Sequence, residues 1–234
     1  MNWFRKFLVS SVGRKFVMGL TGIFLITFLI VHCSINSMIF FNDGGVTFNK
    51  AAHFMGTNVI IRTVEIFLFL GLILHIVQAY ILALENRKAR PVQYNVNNPA
   101  ANSRWYSRSM TLLGTLLLIF LIIHINHFWT NSRLGGLLGI KPLEHVEAGG
   151  KEVLNLYAEM LVTFQSPLVI VIYILGVISL CWHLIHGFQS AFQTFGLHHK
   201  KYTPLVKQIG VVFSVLISLI FVLMPVSMHF GWIK

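Results

Sequence analysis

Five uninterrupted apolar runs, each long enough to cross the hydrocarbon core of a bilayer, set the terms on which this chain can fold. A helical span needs roughly 20 apolar residues at about 1.5 Å of rise each. The runs cover about residues 15–41, 57–84, 108–130, 166–195 and 205–230. In lipid every backbone N–H and C=O must find its partner within the segment, so such runs become helices. A soluble domain has too little interior for 56% hydrophobic side chains against 11% charged ones. The expected fold is therefore an all-α integral membrane protein of five transmembrane helices in one domain, residues 1–234.

The basic start followed by an apolar run invites comparison with a signal peptide. The run is too long, carries His32 and lacks an A-x-A pattern, so it is read as a retained span. Ahead of it, Met1 to Ser10 suits a short amphipathic segment at the interface.

The formal net charge of +11 raises nucleic acid as a partner, but the distribution of charge answers otherwise. Arg5, Lys6, Arg14 and Lys15 precede span 1. Arg87, Lys88, Arg90, Arg104 and Arg108 lie between spans 2 and 3. Lys200, Lys201 and Lys207 lie between spans 4 and 5. With five spans these segments share one side, and they hold twelve of the eighteen basic residues. Asp43, Glu144, Glu147, Glu152 and Glu159 fall on the other side. The positive-inside rule then places the N-terminus in the cytoplasm and the C-terminus outside. The charge is a topology signal, and no nucleic-acid partner is expected. The long loop at about 131–165 is expected to carry a short helix over Lys151 to Thr163.

Histidine inside a membrane helix is costly and rare. Here four spans carry it: His32 in span 1, His75 in span 2, His124 and His127 in span 3, His183 and His186 in span 4. Depth sorts them. His32 lies 17 residues after Lys15 and His124 lies 16 after Arg108, in two spans of the same direction. His75 lies 12 residues before Arg87 and His186 lies 14 before Lys200, in two spans of the opposite direction. The residues thus fall at two levels on the order of 10 Å apart. Two stacked hemes, each held by two axial imidazoles from facing helices of a four-helix bundle made by spans 1–4, require this arrangement. His32 and His124 are assigned to one iron, and His75 and His186 to the other. His127 and His183 are the alternates. Gly19, Gly22, Gly71, Gly114, Gly176 and Gly187 leave room for a flat macrocycle, although small residues also serve ordinary helix packing. Cys33 and Cys181 sit in apolar runs and are expected as free thiols.

Several stretches resemble the single-subunit, five-helix diheme cytochrome b of succinate dehydrogenases and fumarate reductases. They are Ser10-Ser11-Val12-Gly13 with TGIFLITFLIVH, then LHIVQAYILALENRKARP, SRSMTLLGTLLLIFLIIHINHFW and HLIHGFQSAFQTFG. The HxxHFW and HGFQSAFQT stretches are the specific ones. The resemblance spans nearly all of the chain apart from the outer loop, and it implies a mechanism. A flavoprotein subunit and an iron–sulfur subunit dock on the cytoplasmic side of a bacterial inner membrane, and electrons cross two b hemes to a quinone. His75 and His186 then hold the proximal heme, and His32 and His124 the distal one. The succinate or fumarate active site belongs to the partner flavoprotein, because this chain has neither a GxGxxG fingerprint nor a cysteine cluster.

Ser11, Lys15, Arg108, His199 and Lys200 are the expected propionate contacts at the inner interface, each of which also serves as a topology charge or polar boundary residue. The family's quinone binds near the distal heme, where Asn36, His53, Arg62, Glu65 and His127 supply polar groups. An outer-side site suits a low-potential quinone such as menaquinone. Two rival readings remain at this stage: a cytochrome b subunit of a membrane hydrogenase or formate dehydrogenase, and a small transporter with a histidine relay. The relay reading is weakened because Glu65 is the one acidic residue well inside a run.

Overall fold

The computed structural model describes residues 3–89, 101, 103–137 and 139–233. Arg90, counted above in the basic loop, lies outside the described residues, as does the side chain of Arg5.

Among the described residues, five helical stretches are long and apolar enough to cross a membrane: Ser11–Phe41, Val59–Lys88, Met110–Leu134, Pro167–Thr194 and Thr203–His229. They agree with the apolar runs to within a few residues. Helix α1 (Trp3–Val9) ends at Ser10, whose hydroxyl donates to the Phe7 carbonyl at 2.6 Å and accepts from Gly13 N at 3.0 Å. That cap starts α2 (Ser11–Asn36), which tightens into a 3-10 turn over Ser37–Phe41. A reversal through Asn42, Gly44 and Gly45, all at positive φ, leads to α3 (Val46–Thr57). Gly45 has a second reason to lack a side chain, since a Cβ there falls 2.2 Å from the Tyr157 ring. Asn58 caps α4 (Val59–Lys88), accepting from Ile60 N and Ile61 N at 3.0 and 3.3 Å.

The third span is broken. It comprises α5 (Trp105–Arg108), α6 (Met110–His124), a π-helical turn over Ile125–Thr130 and α7 (Asn131–Leu134). The outer loop does not follow expectation over Lys151–Leu154. Glu152–Leu154 is strand β2, paired antiparallel with β1 (His145–Glu147), and the helix α8 begins only at Leu156 and runs to Thr163. Gly149 and Gly150, at φ 64° and 77°, make the turn. Val153 faces inward at 2% exposure, so a two-residue period replaces the helical one. Only a weak apolar pattern marks α3, which is stitched to the loop by Asn49. Its amide donates to Asn155 Oδ1 and its carbonyl oxygen accepts from Tyr157 N, both at 3.0 Å.

Helices α9 (Pro167–Thr194) and α10 (Thr203–His229) complete the chain. Packing makes a closed ring: α2 on α4, α4 on α6, α6 on α9, and α9 on α2, with α10 laid against α9 and α2. Helix α9 is the hub, with eight buried residues, whereas α4 buries none. Apolar residues on the outside of a ring such as this meet lipid, which is as apolar as a protein core, so a poorly buried α4 costs little. The chain is a multi-pass membrane protein. Its basic end carries α1, the end of α4 and α5; its opposite end carries α3, the hairpin and α8.

Candidate functional site: two histidine pairs in the helical ring

Each helix of the ring sends a histidine inward. Near the opposite end the rings of His32 and His124 meet with centroids 5.8 Å apart and planes at 85°. Nearer the basic end the rings of His75 and His183 meet at 6.3 Å and 64°. The expected partner of His75, His186, lies elsewhere: its ring contacts Tyr106 at 6.5 Å. The reason is angular. Three residues along a helix leave a side chain about 60° off in bearing and about 4.5 Å along the axis, and on α9 that difference puts the His183 ring beside His75 and the His186 ring toward Tyr106. Depth alone does not separate them, and bearing does.

The separation of the two levels can be read on α2. Thr21 touches His75, and His32 lies eleven residues further on the same helix. At 1.5 Å per residue that is about 16 Å, more than the 10 Å expected from counting to the nearest cations. On α9, Tyr173 lies beside His124 at 6.0 Å and ten residues from His183, which gives the same spacing of about 15 Å.

The chemistry of the pairs is specific. Two imidazoles on opposite sides of one metal, each nitrogen at about 2 Å, have ring centroids roughly 6 Å apart. Both pairs meet that spacing. Among the described residues there is no cluster of three or more metal-ligating side chains. A two-histidine site therefore suits a metal whose remaining ligands come from a macrocycle. Among the described residues, His124 Nδ1 and His183 Nδ1 are buried without a hydrogen-bond partner, an expensive condition in a dry interior. Glycine lies beside the basic-end pair on two sides. A Cβ at Gly22 would stand 3.6 Å from His75 Cε1, and one at Gly114 would stand 3.8 Å from His183 Cε1. Gly176, by contrast, is filled by the Phe120 ring.

The expected polar residues divide. Asn36 donates to the His32 carbonyl at 2.8 Å, one turn beyond that ring. His127 Nδ1 lies 3.0 Å from the Tyr173 hydroxyl, and the two rings stack at 5.9 Å. Arg62 and Glu65 belong to a separate cluster. Glu65 accepts from Trp129 Nε1 at 2.6 Å and from Arg62 at 2.5 Å, with Arg133 Nε at 3.5 Å. His53 is half-buried on α3 rather than in a loop. Ser11, Lys15, Arg108, His199 and Lys200 are exposed at the basic end. Arg108 bonds Ser103 there, and His199 Nδ1 accepts from Lys201 N at 3.2 Å. Arg14 pairs with Glu85, tying α2 to α4.

Sequence reasoning missed Thr21, Tyr173, Trp129 and Arg133. One signal was available for Thr21: it precedes His32 by eleven residues, three full helical turns, and so shares its face. The others lie on facing elements and had no such marker.

The chain is similar to the succinate dehydrogenase cytochrome b558 subunit of Bacillus subtilis (strain 168), at 26% identity over 171 residues, which is 73% of this chain and 72% of that protein. No family model matches, and no solved structure matches.

Proposed function

We propose that this chain is the membrane-anchor cytochrome b subunit of a succinate:quinone oxidoreductase, passing electrons between an iron–sulfur subunit and a membrane quinone through two b hemes. The observation that carries the reading is the pair of ring-to-ring encounters, His32 with His124 and His75 with His183, at the spacing two axial imidazoles need. The likeness to the Bacillus subtilis subunit supports the same reading and favours it over the hydrogenase and formate dehydrogenase alternatives.

In this reading His32 and His124 hold the distal iron, and His75 and His183 hold the proximal one. His183 replaces His186, and His186 with Tyr106 lines the proximal site from the basic end. When bound, the hemes supply one-electron carriers whose potentials the protein tunes through ligands, hydrogen bonds and burial. The chain's own part is to fix the four imidazoles and to keep water away from them. The exposed basic end, with Lys15, Lys200 and Lys201, faces the cytoplasm and receives the iron–sulfur and flavoprotein partners, on which the succinate site resides. The quinone head group sits beyond His32 and His124, where Asn36, His127 and the Arg62–Glu65 pair provide groups able to bond its two oxygens. Menaquinone suits that end.

The test is a reduced-minus-oxidised spectrum and a heme count on the purified complex. Two low-spin hemes per chain and co-purification with a flavoprotein are expected. His183→Ala is expected to lose one heme, whereas His186→Ala keeps both. Loss on His186→Ala with retention on His183→Ala reverses the ligand assignment, and a colourless complex rejects the function.

A further inference from the structure

We infer that Thr21 is the positioning residue of the proximal site, fixing the His75 imidazole in the tautomer and orientation that present Nε2 to the iron. The inference rests on the heme reading above.

Thr21 stands on α2 at 8% exposure. Its Oγ1 lies 2.9 Å from the Val17 carbonyl, 3.1 Å from the Met18 carbonyl and 3.1 Å from His75 Nδ1 on α4. A hydroxyl has a single proton to give. A threonine inside a helix commonly bonds back to the carbonyl four residues earlier, here Val17, which is the nearer of the acceptors. With the proton spent there, the contact to the imidazole runs the other way, with His75 Nδ1–H donating to Oγ1. A neutral imidazole protonated at Nδ1 carries its lone pair on Nε2. That nitrogen is the one free to meet the metal between His75 and His183.

Among the described residues, the other three histidines have no equivalent. His124 Nδ1 and His183 Nδ1 are buried without a partner. His32 Nδ1 has the Asn36 amide nitrogen at 3.4 Å, and the same amide donates at 2.8 Å to the His32 carbonyl. An amide nitrogen is also a donor, so it cannot take a proton from Nδ1. His75 alone of the four is oriented by a hydroxyl acceptor. Such an outer-shell bond raises the ligand's basicity and locks its ring. A more basic imidazole favours the oxidised iron, so Thr21 holds the potential of the proximal heme down.

Thr21→Val keeps the shape and removes the acceptor. Redox titration of the purified complex, followed at the two heme bands, is the measurement. His75→Ala identifies the proximal component as the band it removes. With Thr21→Val, the proximal midpoint is expected to rise while the distal midpoint stays, and the reduced proximal heme is expected to bind carbon monoxide more readily. Thr21→Ser, which keeps the hydroxyl, is expected to restore both. Unchanged midpoints in Thr21→Val, or failure of Thr21→Ser to restore them, overturn the inference and leave the heme reading intact. A merely structural residue would alter heme yield without a selective shift in one potential. If Thr21→Val does not assemble, Thr21→Ser carries the test: wild-type potentials support the inference, and heme loss overturns it, because only the methyl group is then missing. A wild-type complex without heme overturns both the inference and the reading beneath it.

Discussion

Replacing Gly176 by alanine puts a single methyl group where the ring has no room. Gly176 lies on α9 opposite Phe120 of α6, and a Cβ there would stand 2.5 Å from both Phe120 Cδ2 and Cγ and 3.0 Å from its Cβ. Ordinary carbon contacts lie at about 3.5–4.0 Å, so roughly 1 Å must be found. The atoms in the way are at the root of the side chain, so rotating the ring does not clear them. Either α6 and α9 separate or Phe120 leaves its rotamer. Phe120 lies 5.6 Å from His124 and edge-on to Tyr173 at 5.1 Å, so its displacement reaches the His32–His124 pair. Gly187→Ala on the same helix is the control, because nothing lies within 4 Å of a Cβ there. Both changes gain the same helix propensity, about 1 kcal/mol, which cancels in the comparison. The difference reads overpacking alone, about 1–3 kcal/mol. Thermal unfolding of the purified protein in detergent is expected to place Gly176→Ala several degrees below Gly187→Ala. A second change, Phe120→Leu, is expected to recover part of that gap. Equal stability of the two alanine variants, or no relief from Phe120→Leu, refutes the packing argument.

Glu65→Ala removes the acceptor shared by Trp129, Arg62 and Arg133. The loss is expected to be about 1–3 kcal/mol, below the value for a fully buried pair because Arg62 is half exposed; an unchanged melting temperature tells against the cluster as a staple. The Asp43 carboxylate accepts from the Thr47 hydroxyl at 2.6 Å and from Thr47 N at 3.0 Å, and these bonds hold its pKa below the usual aspartate value. A depressed folded-state pKa means the bonds contribute above the unfolded value and are lost as pH falls through the folded one. Amide protection in the first turn of α3 is expected to fall over that acid window in the wild type and to be pH-independent there in Asp43→Ala. An identical acid dependence in the two proteins removes Asp43 from the account.

The spans were legible because lipid leaves a chain few options: a long apolar run must be a helix, and the charges at its ends mark its limits. The outer end was less legible because water restores the options. Helix α3 has a weak apolar pattern, and its place depends on Asn49 reaching Asn155 and Tyr157, more than a hundred residues away. The strand at Glu152–Leu154 likewise depends on a turn at Gly149-Gly150 and a partner at His145–Glu147. The π-helical turn after His124 has no local marker at all. It re-aims His127 toward Tyr173 and Trp129 toward Glu65, contacts that live on other helices.

The histidine pairs show where one-dimensional reasoning stops. Counting from cations gives depth, and depth brought His32 to His124, although His127 lies only three residues further along span 3. In span 4 the two candidates differ by about 4.5 Å in height, within the error of a count that starts from flexible lysines. Bearing around the helix was needed to separate them, and bearing has meaning only relative to a neighbour. One such neighbour contact is the hydrogen bond from Ser179. Ser179 donates to the Leu113 carbonyl at 2.9 Å, which sets the rotation of α9 against α6. His183, four residues on and just over one turn later, lies on the same side of α9, over Gly114 and beside His75, while the His186 ring contacts Tyr106.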